Sequence, residues 1–234
     1  MRPNDPTILI TREIDESLLN ELASNGITAD VIPFIHTEII RERKVQAQIE
    51  NVLKLQTTVV FTSINAVEAV SEHLHNKKPN WKIYCTGNTT RLSVEKSFGK
   101  ESVSATAEDA TVLAGKIIAD KLTSEVYFFC GDKKRNELPG LLKENNIRVT
   151  EIEVYRTTIN HHKAEKEYDA ILFFSPSAVN GFFENNSIKE KTVLFAIGNT
   201  TAEEIKKFAE NEIVVSDMPG KKELIEKMIL FFES

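Results

Sequence analysis

Four short segments rich in serine, threonine and asparagine each lie between an apolar run and an amphipathic run. T-S-I-N-A-V at 62–67 resembles F-S-P-S-A-V at 174–179, and G-N-T-T occurs at 87–90 and again at 198–201. Hydroxyl groups beside the free N–H groups of a helix N-terminus bind anions, but the same hydroxyls also cap their own helices. Either role suits any one of them, whereas four such turns together favour an anion site. The candidate ligand-binding side chains are Thr62, Ser63, Asn65, Thr89, Thr90, Ser175, Ser177, Thr200 and Thr201.

Three cations and one phenol complete the set of candidate residues. Arg12 follows the first apolar run, Arg91 follows the first G-N-T-T, and Lys133 opens a Lys-Lys-Arg run. A solvated loop is the alternative interpretation of that basic run, but its place after a predicted strand favours carboxylate binding. Tyr155 lies beside a predicted linker, where a phenol can present its O–H group, although most tyrosines at strand ends simply pack.

Several classes of protein are disfavoured by what the sequence lacks. It contains no G-x-G-x-x-G, no G-x-x-x-x-G-K-[ST] and no G-x-S-x-G, so it indicates neither a nucleotide site nor a serine nucleophile. Cys85 and Cys130 have no metal-ligand spacing and are predicted to be buried strand residues. The formal net charge of -6 disfavours nucleic acid and requires local features to hold any anionic ligand.

The chain also lacks the signals of a membrane or secreted protein. No run of 18 apolar residues occurs, and Met1–Pro6 contains no apolar stretch of the kind that opens a signal peptide. We therefore expect a cytoplasmic protein with no membrane partner.

The elements that must position these residues alternate between strands and helices. Short β-branched runs separated by amphipathic segments predict parallel α/β sheets with crossover helices. The segment 36–50 gives no clear signal. Strands are predicted near 7–11, 28–34, 57–62, 81–86, 125–130, 147–155, 169–174, 192–197 and 212–215.

The serine and G-N-T-T turns recur in the same order 111 to 112 residues apart, which predicts two related α/β units. A second correspondence predicts how these two units are connected. The segment that opens with T-I-L-I-T-R resembles the one that opens with V-Y-F-F-C-G, but the first precedes its serine and G-N-T-T turns in the chain while the second follows them. One unit must therefore interrupt the other. We predict a discontinuous domain of 1–35 plus 157–234, an inserted domain of 36–156, and paired linkers near 32–38 and 150–157.

In this order and spacing the motifs resemble the uroporphyrinogen-III synthase family over nearly the whole chain. The matching pieces are I-L-I-T-R, V-I-P, F-T-S-x-N-A-V, T-G-N-T-T, F-C-G-D-x-K-R-x-x-L-P, V-Y-R-T, F-F-S-P-S-A-V and A-I-G-N-T-T-A. Ile64 departs from the proline that the family often has there. The resemblance implies two related, doubly wound parallel-sheet α/β domains, one inserted in the other and joined by a two-strand β-ladder, with an active site in the cleft between them.

The resemblance also implies the chemistry. The expected substrate is hydroxymethylbilane, a small linear tetrapyrrole with eight carboxylates, and no metal or organic cofactor is expected. Tyr155 matches the V-Y motif and is the candidate for assisting departure of the terminal hydroxyl. We expect a monomer that closes the bilane into a ring and inverts ring D. Two alternatives stay open: an intracellular two-domain protein that binds a small anion without catalysis, and a nucleotide-sugar glycosyltransferase.

Overall fold

The computed structural model describes residues 5–75, 77–121, 123–218 and 220–233. Residues 1–4 and Ser234, which the predicted discontinuous domain includes, lie outside the described residues. Residues 1–4 are also the first four of Met1–Pro6, the segment that lacks the apolar stretch of a signal peptide. The chain forms two compact units. Unit 1 runs to His36 and resumes at Thr158, and unit 2 comprises Thr37–Thr157. That each unit folds as an independent domain with the predicted boundaries stays a prediction.

Strands and helices alternate along the chain. The strands are β1 (Thr7–Ile10), β2 (Thr28–Val31), β3 (Ile35–Ile39), β4 (Thr57–Phe61), β5 (Trp81–Thr86), β6 (Val103–Ala107), β7 (Glu125–Gly131), β8 (Arg148–Ile159), β9 (Ala170–Phe173), β10 (Val193–Ala196) and β11 (Ile213–Val215). The helices are α1 (Glu16–Ser24), α2 (Arg43–Leu53), α3 (Ile64–Ser71), α4 (Asn88–Phe98), α5 (Ala110–Asp120), α6 (Glu137–Glu144), α7 (Pro176–Phe183), α8 (Asn199–Ile205) and α9 (Lys221–Glu233).

The two sheets share one strand order. The sheet of unit 2 runs β8-β7-β4-β5-β6, with β3 beside β8, and the sheet of unit 1 runs β2-β1-β9-β10-β11. In each, the strand that precedes the serine turn lies at the centre (β4 or β9), and the pairings found among these five strands are all parallel. The order along the chain is permuted, because β1 and β2 come first in unit 1 whereas β7 and β8 come last in unit 2. The predicted fold class of two related parallel-sheet α/β halves, one inserted in the other, is confirmed.

Both faces of each sheet are buried, as a doubly wound architecture requires. Alternate residues of β9 show this directly: Ala170 and Leu172 belong to one apolar cluster, and Ile171 and Phe173 belong to another on the opposite face. In unit 2, neighbouring residues of β4 divide in the same way between two clusters. Each fully buried Val, Leu, Ile or Phe side chain contributes about 1.5–3 kcal/mol relative to an exposed one. Strands that are buried on both faces therefore stabilise the sheet that carries the turns.

β3 and β8 form an antiparallel pair at one edge of the sheet of unit 2. Ile40 N–H donates to the Val154 carbonyl at 2.9 Å, and Asn160 N–H donates to the Phe34 carbonyl at 2.9 Å, so residue numbers fall on one segment as they rise on the other. The boundary between the units falls within both strands. These strands are the predicted two-strand ladder.

The structure corrects several predicted elements. β3 and β6 were not predicted as strands, because I-H-T-E-I and V-S-A-T-A are short and only weakly apolar. The strand predicted at 28–34 ends at Val31, close to Pro33, which has no N–H to donate to a neighbour. β8 continues to Ile159, beyond the predicted end at 155. No helix in the described part of the chain is both long enough and apolar enough to cross a bilayer.

Candidate functional site

The predicted site residues of unit 2 lie at the carboxyl edge of its sheet. β4, β5, β7 and β8 are parallel neighbours, so the turns that follow β4, β5 and β7 emerge at the same edge. The connection reverses direction between β4 and β7, and such a reversal point is where open α/β sheets bind their ligands. The predicted residues at this edge are Thr62, Ser63, Asn65, Thr89, Thr90, Arg91, Lys133 and Tyr155.

The predicted site residues of unit 1 occupy the equivalent edge of the other sheet. Arg12 lies two residues beyond β1, and Ser175 lies two residues beyond β9, which is the neighbour of β1. This pair of turns flanks the reversal point of unit 1. Ser177 follows in α7, and Thr200 and Thr201 begin α8, which comes after β10.

The two serines that follow central strands cap their own helices. Ser63 is the N-cap of α3, and its Oγ accepts a hydrogen bond from Asn65 N–H at 3.2 Å. Ser175 is the N-cap of α7, and its Oγ accepts from Ala178 N–H at 3.2 Å. Capping of this kind stabilises a helix by about 1 kcal/mol, so it accounts for both serines without a ligand. The side chains of Thr62, Asn65 and Ser177 make no hydrogen bond to the described part of the chain and stay available.

Unlike these two serines, the threonines of the two G-N-T-T turns do not cap their helices. Gly87 and Gly198 are the N-caps of α4 and α8, and neither helix has a side-chain cap. Thr90 and Thr201 are buried as residues (6% and 1% exposed), yet neither hydroxyl has a hydrogen-bond partner in the described residues. No buried side-chain oxygen or nitrogen in that part of the chain lacks a partner, so the oxygens of these two hydroxyls keep a small exposed area. That they bind a ligand stays a prediction.

The two G-N-T-T turns are not identical in backbone conformation. Gly87 has φ of 70°, a left-handed conformation that favours glycine, whereas Gly198 has φ of -178°, which any residue adopts. Thr89 and Thr200, the other threonines of these turns, are exposed. The shared tetrapeptide therefore places a threonine at the start of each helix through two different turns.

Tyr155 lies partly buried on β8 next to the end of β7. Its ring packs on Gly131, and its hydroxyl lies close to the side chain of Ser63. Burial raises the pKa of the Tyr155 phenol, the neighbouring Ser63 side chain lowers it, and the nearby Cys130 and Asp132 raise it, with a net rise above 10.0. The phenol is therefore protonated at neutral pH and is a hydrogen-bond donor.

The three predicted cations differ in how far they are committed to protein partners. Arg91 donates to the Asn88 side chain at 2.8 Å and lies 3.9 Å from the Glu95 carboxylate, both in its own helix. Lys133 is 63% exposed and lies 3.9 Å from Asp132. Arg12 is exposed and makes no ion pair within the described residues. Arg12 is thus the cation most available to an anionic ligand, and Arg91 the least.

Gly131 and Asp132 belong to this edge, but sequence reasoning did not single them out. Asp132 N–H donates to the Tyr155 carbonyl at 3.2 Å, and the Asp132 carboxylate accepts from Thr157 N–H at 2.8 Å. These bonds tie the turn after β7 to β8. The motif F-C-G-D was visible in the sequence, but nothing in it indicated that its glycine and aspartate contact Tyr155. In the described residues, no three His, Cys, Asp or Glu side chains lie close enough together to hold a metal ion.

Fold and site together define a class of two-unit parallel α/β proteins that carry hydroxyl-bearing helix N-termini at the carboxyl edge of each sheet. The family model described as uroporphyrinogen-III synthase HemD matches residues 16–226, which is most of the chain. The chain therefore belongs to the uroporphyrinogen-III synthase family and is an enzyme of tetrapyrrole synthesis that acts on a small molecule. The family resemblance seen in the motifs is confirmed.

Similar proteins agree with this assignment. The chain is 24% identical over 223 residues to the uroporphyrinogen-III synthase of Chlorobaculum parvum, which covers 86% of this chain and 89% of the relative. The fold resembles that of a mutant uroporphyrinogen III synthase from the extremely thermophilic bacterium Thermus thermophilus, with a TM-score of 0.70, 15% identity, and coverage of 97% of this chain and 98% of that one. It also resembles the Helicobacter pylori uroporphyrinogen-III synthetase, with a TM-score of 0.67, 16% identity, and coverage of 97% and 99%.

Proposed function

We propose that this protein cyclises hydroxymethylbilane to uroporphyrinogen III, with loss of water and inversion of ring D through a spirocyclic intermediate. In this proposal the enzyme is a lyase of the hydro-lyase type. Its product feeds the synthesis of heme, siroheme or cobalamin. The proposal combines the family to which the chain belongs with the character of the polar groups at the two sheet edges.

The observation that carries the proposal is the recurrence of uncapped helix N-termini with a surface-reaching threonine hydroxyl. α4 offers Thr90 and α8 offers Thr201 in this way. The net charge of -6 does not attract an anionic ligand, so local groups must hold it. Hydroxyls and backbone N–H groups are such groups, because they bind carboxylates through hydrogen bonds. A substrate with eight carboxylates needs many such donors, whereas a compact anion needs one cluster.

The proposal assigns substrate binding to the polar residues at both edges. Arg12 is the principal cation, and Thr90 and Thr201 are the principal hydroxyl donors. Ser63 and Ser175 contribute while they also cap their helices. The full set of proposed substrate-binding residues is Arg12, Thr62, Ser63, Asn65, Thr89, Thr90, Arg91, Lys133, Ser175, Ser177, Thr200 and Thr201.

In the proposed reaction the protein holds the bilane in the geometry that leads to inversion. Departure of the terminal hydroxyl as water leaves an electrophilic azafulvene on ring A. The substituted carbon of ring D attacks it, the resulting spirocyclic pyrrolenine breaks at its other bond, and the ring recloses with ring D inverted. Tyr155 assists the first step by donating a hydrogen bond to the departing hydroxyl. Because a bilane also closes without enzyme to the type I isomer, positioning is the larger contribution and proton transfer the smaller one.

The decisive experiment incubates the protein with freshly prepared hydroxymethylbilane and separates the isomeric products. We expect type III product at a rate proportional to the protein concentration. Formation of only the type I isomer, at the rate seen without protein, would contradict the proposed function. Tight binding of the bilane with that same outcome would instead identify an anion-binding protein without catalysis.

Two variants test the carrying observation. Thr90→Ala and Thr201→Ala each delete one hydrogen-bonding hydroxyl, so each should slow type III formation by about threefold to tenfold, which corresponds to about 0.5–1.5 kcal/mol. Ser104→Ala is the control, because Ser104 is an exposed residue of β6 whose hydroxyl makes no hydrogen bond in the described residues. Wild-type rates in both threonine variants would remove these hydroxyls from the site.

A further inference from the structure

The ring of Tyr155 occupies the space that a side chain at position 131 would need. A Cβ atom added to Gly131 would lie 2.8 Å from the Tyr155 hydroxyl oxygen and still closer to Cε2 and Cζ of the ring. Real Cβ atoms do not approach other heavy atoms this closely. The backbone of Gly131 is not in the left-handed region, so any residue could adopt it. The ring of Tyr155 is therefore the obstacle to a larger residue.

An irregularity between β7 and β8 brings the two residues opposite each other. Cys130 pairs with Glu153, but the next residue, Gly131, pairs with Tyr155, so the register shifts by one residue at this point. Bulges of this kind redirect side chains and are common next to active sites. The bonds from Asp132 to the backbone of β8 hold the shifted pairing in place.

Ser63 lies at the oxygen end of the same side chain. Its side chain is close enough to the Tyr155 hydroxyl to lower the pKa of the phenol, and its Oγ accepts a hydrogen bond from Asn65 N–H at 3.2 Å. Ser63 is held in turn as the N-cap of α3. The phenol thus packs with its face on Gly131 and has its oxygen next to Ser63.

We propose that Gly131 is a positioning residue for Tyr155: the absence of a side chain at position 131 lets the phenol lie flat on β7 with its oxygen at Ser63. This inference rests on the function proposed above, in which Tyr155 assists departure of the substrate hydroxyl. A methyl group at position 131 pushes the ring of Tyr155 away from β7 and breaks its contact with Ser63. The reaction then loses the aligned donor although Tyr155 itself is unchanged.

The first test observes the phenol without using activity. The chain contains four tyrosines, so 3-fluorotyrosine labelling gives four ¹⁹F resonances, and Tyr155→Phe identifies the one from residue 155. In Gly131→Ala we expect this resonance to move and its titration midpoint to fall, because the displaced ring loses burial, and burial affects the pKa of the phenol more than the contact with Ser63 does. In Ser63→Ala we expect the midpoint to rise, because a neighbour that lowers the pKa of the phenol is lost while the ring stays buried. Cys130 and Asp132, the other titratable groups beside the phenol, are unchanged in both variants.

The second test is a double-mutant cycle on the rate of type III formation. Gly131→Ala should slow the reaction by about the same factor as Tyr155→Ala. Adding Gly131→Ala to Tyr155→Ala should change the rate by no more than about twofold, because the ring that the methyl group displaces is already absent. Gly115→Ala is the matched control, since a Cβ atom at Gly115 meets nothing within 4 Å. It should leave both the rate and the residue 155 resonance as in wild type.

Three results would overturn the inference. One is an unchanged residue 155 resonance in Gly131→Ala, and another is a pair of substitutions whose effects on the rate simply multiply. If Gly131→Ala does not fold, the double variant decides: it should fold, because the ring is gone, and its failure to fold would refute the steric argument. A wild-type protein that makes no type III product would defeat the proposed function, yet the ¹⁹F comparison would still show whether Gly131 positions the phenol.

Discussion

Replacement of Tyr155 by phenylalanine removes one oxygen atom and leaves the ring on Gly131. The lost interactions are the contact of the hydroxyl with Ser63 and the proposed bond to the departing hydroxyl. One hydrogen bond is worth about 0.5–1.5 kcal/mol net, and up to about 3 kcal/mol when its partner carries charge. These values correspond to a rate of type III formation that is about threefold to a hundredfold lower. The larger factor applies if negative charge develops on the departing oxygen before it takes up a proton.

The same substitution predicts a particular dependence on pH. Burial raises the pKa of the Tyr155 phenol above 10.0, so the fraction of protonated donor is close to one throughout the neutral range and declines only above the raised pKa. The ratio of wild-type to Tyr155→Phe rates should therefore be constant between about pH 6 and 9. A phenol that acted as a phenolate base would instead give a ratio that increases with pH.

The assay measures the initial rate of type III product for both proteins under one set of conditions. Tyr127→Phe is the matched control, because Tyr127 lies in β7 of the same sheet and its hydroxyl makes no hydrogen bond in the described residues. It should react at the wild-type rate. Complete loss of activity in a correctly folded Tyr155→Phe protein would refute a mechanism that depends mainly on positioning and would make the phenol an obligatory acid.

Three further predictions concern binding, folding and the thiols. Arg12→Ala should raise the KM for the bilane by about threefold to tenfold at low salt and by less at high salt. Arg148→Ala is the control and should leave the KM unchanged, because Arg148 is exposed at the amino end of β8. Equal KM values for Arg12→Ala and wild type would remove Arg12 from the site. A fragment of 36–156 contains nearly all of unit 2 and should show a cooperative thermal transition, and a transition without cooperativity would contradict an independently folding insertion. Burial raises the pKa of Cys85 to about 11 and of Cys130 to about 12, so neither thiol should react with a disulfide reagent near pH 8 until the protein unfolds. Because these folded-state pKa values exceed the unfolded value of 9.0, the contribution of the two thiols to the free energy of unfolding is complete below about pH 9 and is lost as the pH rises toward about 12. The urea concentration at the unfolding midpoint should therefore fall over this pH range.

The sequence by itself determined the architecture and the family. Repeated motifs in a fixed order do not depend on long-range contacts, so the recurrence of the serine and G-N-T-T turns indicated two related halves, and the permuted order of the other repeat indicated that one half interrupts the other. Central strands such as β4 and β9 were also visible, because strands buried on both faces read as uninterrupted apolar runs. The edge strands β3 and β6 of unit 2 were not: β3 alternates between partly buried and exposed residues, and its strand conformation depends on pairing with the distant β8.

Only the tertiary structure decided what the individual polar side chains do. In the sequence, a serine before a helix and a threonine in its first turn offer the same hydroxyl, so capping and ligand binding were equally open to both. The fold separates them, because the oxygens of Ser63 and Ser175 reach N–H groups of their own helices while Thr90 and Thr201 have no such partner in the described residues. The contact between Gly131 and Tyr155 joins two strands across a shifted register, and a shift of one residue leaves no mark on either segment of sequence. Local propensity and repeat order specify which elements form, but a contact between side chains requires the packed sheet that brings them together.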